Sequence, residues 1–154
     1  MDPARDDPET VTHRLVLPRD ANHHGTFYAG ALLSLALEAA YATAYRAAGP
    51  NANFVLKRVL DLRCYLPVPI GRVIEIRGRE VHRARAQVIV ALYGTPLGPD
   101  ASAPWMDSVM QFVQVDDAGR PEPLDGEPVD PPPQLVAPWQ SLRERAMRLM
   151  IIRP

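Results

Sequence analysis

The chain is 154 residues long, one domain's worth, and large enough to bury a core without disulfide or metal staples. Its formal net charge of -1 supplies no bulk field for nucleic acid or an anionic membrane, so any anion-binding role must come from local clusters. The single cysteine, Cys64, excludes an internal disulfide and a cysteine-based metal site, and no run approaches the roughly 20 apolar residues of a spanning helix.

Residues 1–10 carry charge and proline with no apolar signal core, and predict a disordered lead-in. Together with the lone cysteine this gives a cytoplasmic expectation. Val11–Leu17 alternates loosely and predicts a first strand, stopped by Pro18. A turn dense in polar groups follows: Asp20, Asn22, His23, His24, Gly25 and Thr26.

From Gly30 to Ala48 the alanines and leucines predict a helix that Gly49-Pro50 ends. Ser34, Glu38, Tyr41 and Tyr45 fall on one stripe of it, and Leu33, Leu37, Ala40 and Ala44 on another. Thr43 and Arg46 are expected at solvent. The helix should face a sheet over most of its surface and a polar cleft along one line, where Glu38 is its lone carboxylate.

Four more strands are predicted, Phe54–Leu66, Arg72–Arg79, Arg85–Tyr93 and Met106–Asp116, with Cys64 expected in the core. They are parted by Pro67–Gly71, a short turn at Val81–Ala84 and a loop at Gly94–Pro104. Such short connections predict an antiparallel meander. The expected class is α+β, a curved antiparallel sheet around one long central helix. After a turn at Asp116–Arg120 the body, 11–124, gives way to a proline-rich tether at 125–138. Within 139–154, Ser141-Leu142-Arg143-Glu144 has the form of a capping box. It opens a short helix whose stripe of Leu142, Ala146, Leu149 and Met150 should dock on the body or on a neighbouring subunit.

Three segments in register resemble the hot-dog fold acyl-CoA thioesterases. Asp20-Ala21-Asn22-His23-His24-Gly25, then Ala29-Gly30 and an apolar helix, is similar to their D-x-N-x-x-G…GG helix entry. Pro67-Val68-Pro69-Ile70-Gly71 resembles their P-V-x-x-G turn. Val115-Asp116-Asp117-Ala118-Gly119-Arg120-Pro121 resembles their closing V-D-x-x-G-[KR]-P.

The resemblance implies a hot-dog domain working at least as a dimer, with sites at the subunit interface. It also implies a helix carboxylate as general base or nucleophile, a loop Asn that positions water or substrate, and a backbone N–H at the helix start that polarises the thioester carbonyl. Carried over, these are Glu38, Asn22 and Gly30. Asp20, His23, His24, Gly25, Thr26, Tyr28, Ser34 and Tyr41 would line the substrate, with Tyr28 and Tyr41 as packing aromatics. Arg83 and Arg85, beside Arg79 and His82, would either meet the phosphates of coenzyme A or form a solvated turn. The substrate is an acyl thioester of coenzyme A or of an acyl carrier protein. No cofactor is implied, since coenzyme A is part of the substrate, and no metal.

The chain departs from the pattern at one place. Counted from Gly30, the family's acid falls on Leu37, and Glu38 stands one residue later, a rotation of about 100°. Either Glu38 faces the cleft, as the Ser34–Glu38–Tyr41 stripe favours, or the usual acid is lost. Two other functions stay open: a hydratase or dehydratase using His24 with Glu38, and a domain that binds acyl thioesters without turnover.

Overall fold

The computed structural model describes residues 9–49, 51–97, 103–124 and 135–151. Most of the expected lead-in and tether, residues 1–8 and 125–134, lies outside these. In chain order the elements are β1 (Thr10–Leu15), a single 3-10 turn (Pro18–Asp20), α1 (Ala29–Ala48), β2 (Phe54–Cys64), β3 (Val73–Arg83), β4 (Gln87–Pro96), β5 (Met106–Gln114) and α2 (Trp139–Ile151). The strands form one sheet in the order β1-β3-β4-β5-β2, with every pairing antiparallel. The chain therefore leaves one edge of the sheet at β1, crosses through α1, and re-enters at the opposite edge with β2.

Alternation along the strands decides which helix each residue meets. Ile74, Ile76, Val88, Val90, Leu92, Met110 and Phe112 share a core with Leu32, Leu35, Ala36, Ala39, Ala40 and Ala44 of α1. Val81, Ile89, Ala91 and Val109 point the other way, against Trp139, Leu142 and Ala146 of α2. β5 lies between the helices and is buried at all nine positions. The small residues of α1 let it sit close to the sheet. A Cβ on Gly78 would stand 2.8 Å from Thr10 Oγ1 and closer still to Thr43 Oγ1. Gly78→Ala should accordingly push α1 off β3 and destabilise the fold by about 1–3 kcal/mol, read from urea unfolding.

The structure corrects five expectations. Thr43 is buried, because its hydroxyl donates to Ala39 O at 2.7 Å and meets the Thr10 hydroxyl, so a residue read as polar serves the helix–strand contact. Leu33 is exposed, because the buried arc is centred one residue off, on Leu32, Leu35, Ala36 and Ala39. Cys64 is exposed, at the end of an edge strand that pairs only with β5. Ser141 lies inside α2, which begins at Trp139; backbone bonds from Gln140 N to Val136 O and from Leu142 N to Pro138 O start the helix earlier than the capping-box pattern suggests. The β3–β4 turn also moves, since β3 continues through His82 to Arg83 and the chain reverses at Ala84–Ala86.

Candidate active site

The polar turn before α1 is built by its own side chains. Asp20 is 4% exposed; its carboxylate accepts from Leu17 N at 3.0 Å and Arg14 Nη2 at 2.9 Å, while its carbonyl accepts from Tyr28 N at 2.6 Å. One residue thus ties the end of β1 to the start of α1. Asn22 closes the turn. Its Oδ1 accepts from His24 N (2.9 Å), Thr26 N (3.1 Å) and Thr26 Oγ1 (3.2 Å), an Asx arrangement. Its Nδ2 donates to Thr26 Oγ1 at 3.0 Å, which uses one of its two protons. Gly25, at φ 74°, supplies the left-handed residue that the reversal requires. His23 and His24 are exposed at the tip, with ring centroids 3.9 Å apart.

A second segment braces this turn. Phe27 N donates to Val68 O (2.8 Å) and Ile70 N to Gly25 O (3.1 Å), so the proline-bounded turn after β2 lies along the polar loop. Phe27 also meets Trp105 edge to face at 6.0 Å. The sequence marks 67–71 as a turn, yet nothing in it points to this contact. Pairing between segments about forty residues apart has no local signature.

The Asp20 carboxyl is held below its ordinary value of 3.8, first by the hydrogen bond from Leu17 N, against the opposing effect of desolvation, and then by Arg14 and Arg19. Folding favours the ionised form. The stabilisation is therefore complete above the ordinary value and is lost as pH falls through the depressed one. Asp20→Asn should flatten the acid limb of stability in thermal melts taken from about pH 6 down to about pH 2. An unchanged acid limb would contradict this role.

α1 starts without a side-chain cap: Tyr28 is the N-cap residue, and the first helical bond runs from Leu32 N to Tyr28 O at 2.9 Å. The amides of Ala29, Gly30 and Ala31 precede that bond and face out of the helix end, where the helix dipole is positive. Further along, Ser34, Glu38, Tyr41 and Tyr45 are exposed on one face, as their spacing predicts, while Leu37 is half-buried and packs against the core. Tyr41 rests edge to face on Phe112 at 6.2 Å, so it is at least in part a packing aromatic.

The basic residues of the β3–β4 turn lie at the other end of α1, about 30 Å from the polar loop for a helix of 20 residues. Arg83 is engaged there. It grips Glu80 at 2.6 and 2.9 Å and donates to Ala47 O at 3.3 Å, closing the end of α1. Arg85 is exposed. Within one protomer, then, the loop and the helix start are neighbours, Glu38 lies further along the same helix, and Arg83 and Arg85 lie at its far end. Among the described residues no group of His, Cys, Asp and Glu could hold a metal ion, and no helix is long and apolar enough to cross a membrane.

No protein-family model matches the chain, and no curated protein matches it. Solved structures do. An acyl-CoA hydrolase from Staphylococcus aureus, determined with butyryl coenzyme A, coenzyme A and coenzyme A disulfide, superposes with a TM-score of 0.79 at 20% identity, over 94% of this chain and 85% of that one. An acyl-CoA hydrolase from Bacillus cereus gives 0.78 at 17% identity, over 95% and 86%. A hexameric hotdog fold thioesterase of Campylobacter jejuni gives 0.64 at 22% identity, over 74% and 88%. At these identities the likeness establishes the fold: the chain has the hot-dog fold.

Proposed function

We propose that the protein is a thioesterase that hydrolyses an acyl thioester of coenzyme A at sites shared between two copies of the chain. The observation that carries this reading is the layout of α1, with uncapped amides at its start and one exposed carboxylate further along. Eight residues separate Gly30 from Glu38, about 12 Å along the axis. That is too far for both to act on one carbonyl within a protomer. A second copy whose α1 runs antiparallel beside the first removes the difficulty by setting Glu38 of one against the helix start of the other. The surface for such a partner exists, since Leu33, Tyr41 and Tyr45 on α1 and Val55 and Leu56 on the edge strand β2 are all exposed. An open edge strand with apolar side chains is a template for pairing. The same arrangement carries Arg85 of one copy towards the polar loop of the other, where coenzyme A phosphates would meet it.

In this reaction the Gly30 amide donates to the thioester oxygen and the free Nδ2 proton of Asn22 orients a water. Glu38 takes a proton from that water as its oxygen bonds to the carbonyl carbon, and the C=O pair moves onto oxygen. When the C=O bond reforms, the C–S bond breaks with its electrons going to sulfur, and Glu38 returns the proton to the thiolate. The products are a carboxylic acid and free thiol. Leu37, in the family's acid position, favours one competing reading, binding without turnover. A panel of short, long and aromatic acyl-CoAs, followed by thiol release, separates the two. Release with matching carboxylic acid supports hydrolysis, and saturable binding with no thiol supports the other.

A further inference from the structure

We infer that the hydroxyl of Tyr28 is a second hydrogen-bond donor to the thioester oxygen, working beside the Gly30 amide. The inference rests on the hydrolytic reading above and goes beyond it in assigning a catalytic side chain to the helix start. Tyr28 is 53% exposed, and one edge of its ring lies over Gly30. A Cβ placed on Gly30 would collide with the ring edge, with Cζ at 2.9 Å and Oη at 3.0 Å. A side chain at position 30 would therefore have to displace the phenol from this place.

The geometry limits where the hydroxyl can be. The Gly30 nitrogen lies about 2.5 Å from that Cβ position, so Oη is at most about 5.5 Å from it. Two donors can share one acceptor at about 2.9 Å each when they are separated by less than about 5.8 Å, and this pair satisfies that. Among the described residues no group bonds the Tyr28 hydroxyl, so its proton is available to a ligand. A phenol turned over the positive end of a helix, next to an amide without a helical acceptor, suits an oxygen that gains negative charge as the carbonyl is attacked. No bond to Tyr28 is made or broken. It keeps its proton throughout, and its hydrogen bond strengthens as the C=O pair moves onto oxygen.

The test compares the full-length wild type with Tyr28→Phe, which removes the hydroxyl and keeps the ring. On an acyl-CoA that the wild type hydrolyses, kcat should fall about 10- to 100-fold while KM stays within about twofold, with an unchanged melting temperature. A role confined to packing over Gly30 would leave kcat intact in the Phe variant, and that result overturns the inference. Should the Phe variant melt lower, kcat measured at a temperature where both proteins are fully folded decides: a deficit of about 10- to 100-fold there supports the hydroxyl's role, and equal kcat overturns it. A wild type that hydrolyses no thioester overturns the hydrolytic reading and this inference together, whereas an active wild type with an equally active Phe variant overturns the inference alone.

Discussion

Glu38→Gln should lower kcat for thioester hydrolysis by about 100- to 10,000-fold, the range expected when a positioned general base is removed. KM should change little, because Gln keeps the size and polarity of the side chain and lacks only the capacity to take a proton. Folding should be unaffected. Glu38 is exposed on α1, among Ser34, Tyr41 and Tyr45, and contributes nothing to the buried face of Leu32, Leu35, Ala36 and Ala39. The comparison is therefore cleaner than for most catalytic acids, with activity lost while the melting temperature holds. Turnover by the variant at the wild-type rate would remove Glu38 from the reaction.

The second large effect concerns stability. Asp107 is 6% exposed on the α2 face of β5, where Arg145 from α2 meets it with both guanidinium nitrogens, at 2.5 and 3.2 Å, and Tyr65 Oη donates to it at 2.8 Å. Arg145 has the carboxylate of Asp61 at 3.7 Å as well. The Arg145 guanidinium is pushed above its ordinary value, chiefly by the hydrogen bond to Asp107. Arg145→Met keeps the aliphatic stem and strips away the charge, leaving a buried carboxylate with one neutral partner. Removing one member of a buried pair costs about 3–5 kcal/mol. For a chain of this size the melting temperature should drop by about 6–20 °C. The double variant with Asp107→Asn should recover part of that loss, because no charge is then stranded. A melting point within about 2 °C of wild type would mean that α2 is held by its apolar stripe alone.

Much of the fold is legible in the sequence because its signals are local. Alternation marks the strands, an alanine-leucine run closed by Gly49-Pro50 marks α1, and short connections imply antiparallel pairing, although only β3, β4 and β5 form the expected meander and the short β2–β3 connection crosses the sheet. The errors arise where tertiary contact overrides local chemistry. Thr43 looks solvent-facing until Thr10 and Gly78 are brought beneath it, and Ser141 looks like a cap until Trp139, 3% exposed, is seen to anchor the helix two residues earlier. Cys64 depends on which strand lies at the edge, which periodicity cannot reveal.

The candidate site divides along the same line. The polar turn around Asn22, a helix starting near Gly30 and the shared face of Ser34, Glu38 and Tyr41 could be read from residue type and spacing. The brace from Val68 and the fold of Tyr28 over Gly30 could not, since both depend on contacts that residue order does not encode. Arg83 shows the opposite case. Its residue type suits phosphate, but Glu80 and the end of α1 already hold it.

In the proposed reaction Glu38 and the Gly30 amide meet across two copies of the chain. Co-expression of Glu38→Gln with Gly30→Pro tests this, the second variant removing the amide proton within the first turn of α1, where proline is tolerated. Each variant alone should be inactive. In a mixed two-fold dimer one site carries both lesions and the other carries none, so random pairing should restore about a quarter of wild-type turnover. Recovery of that size is the predicted result, and a mixture as inactive as its components would contradict it.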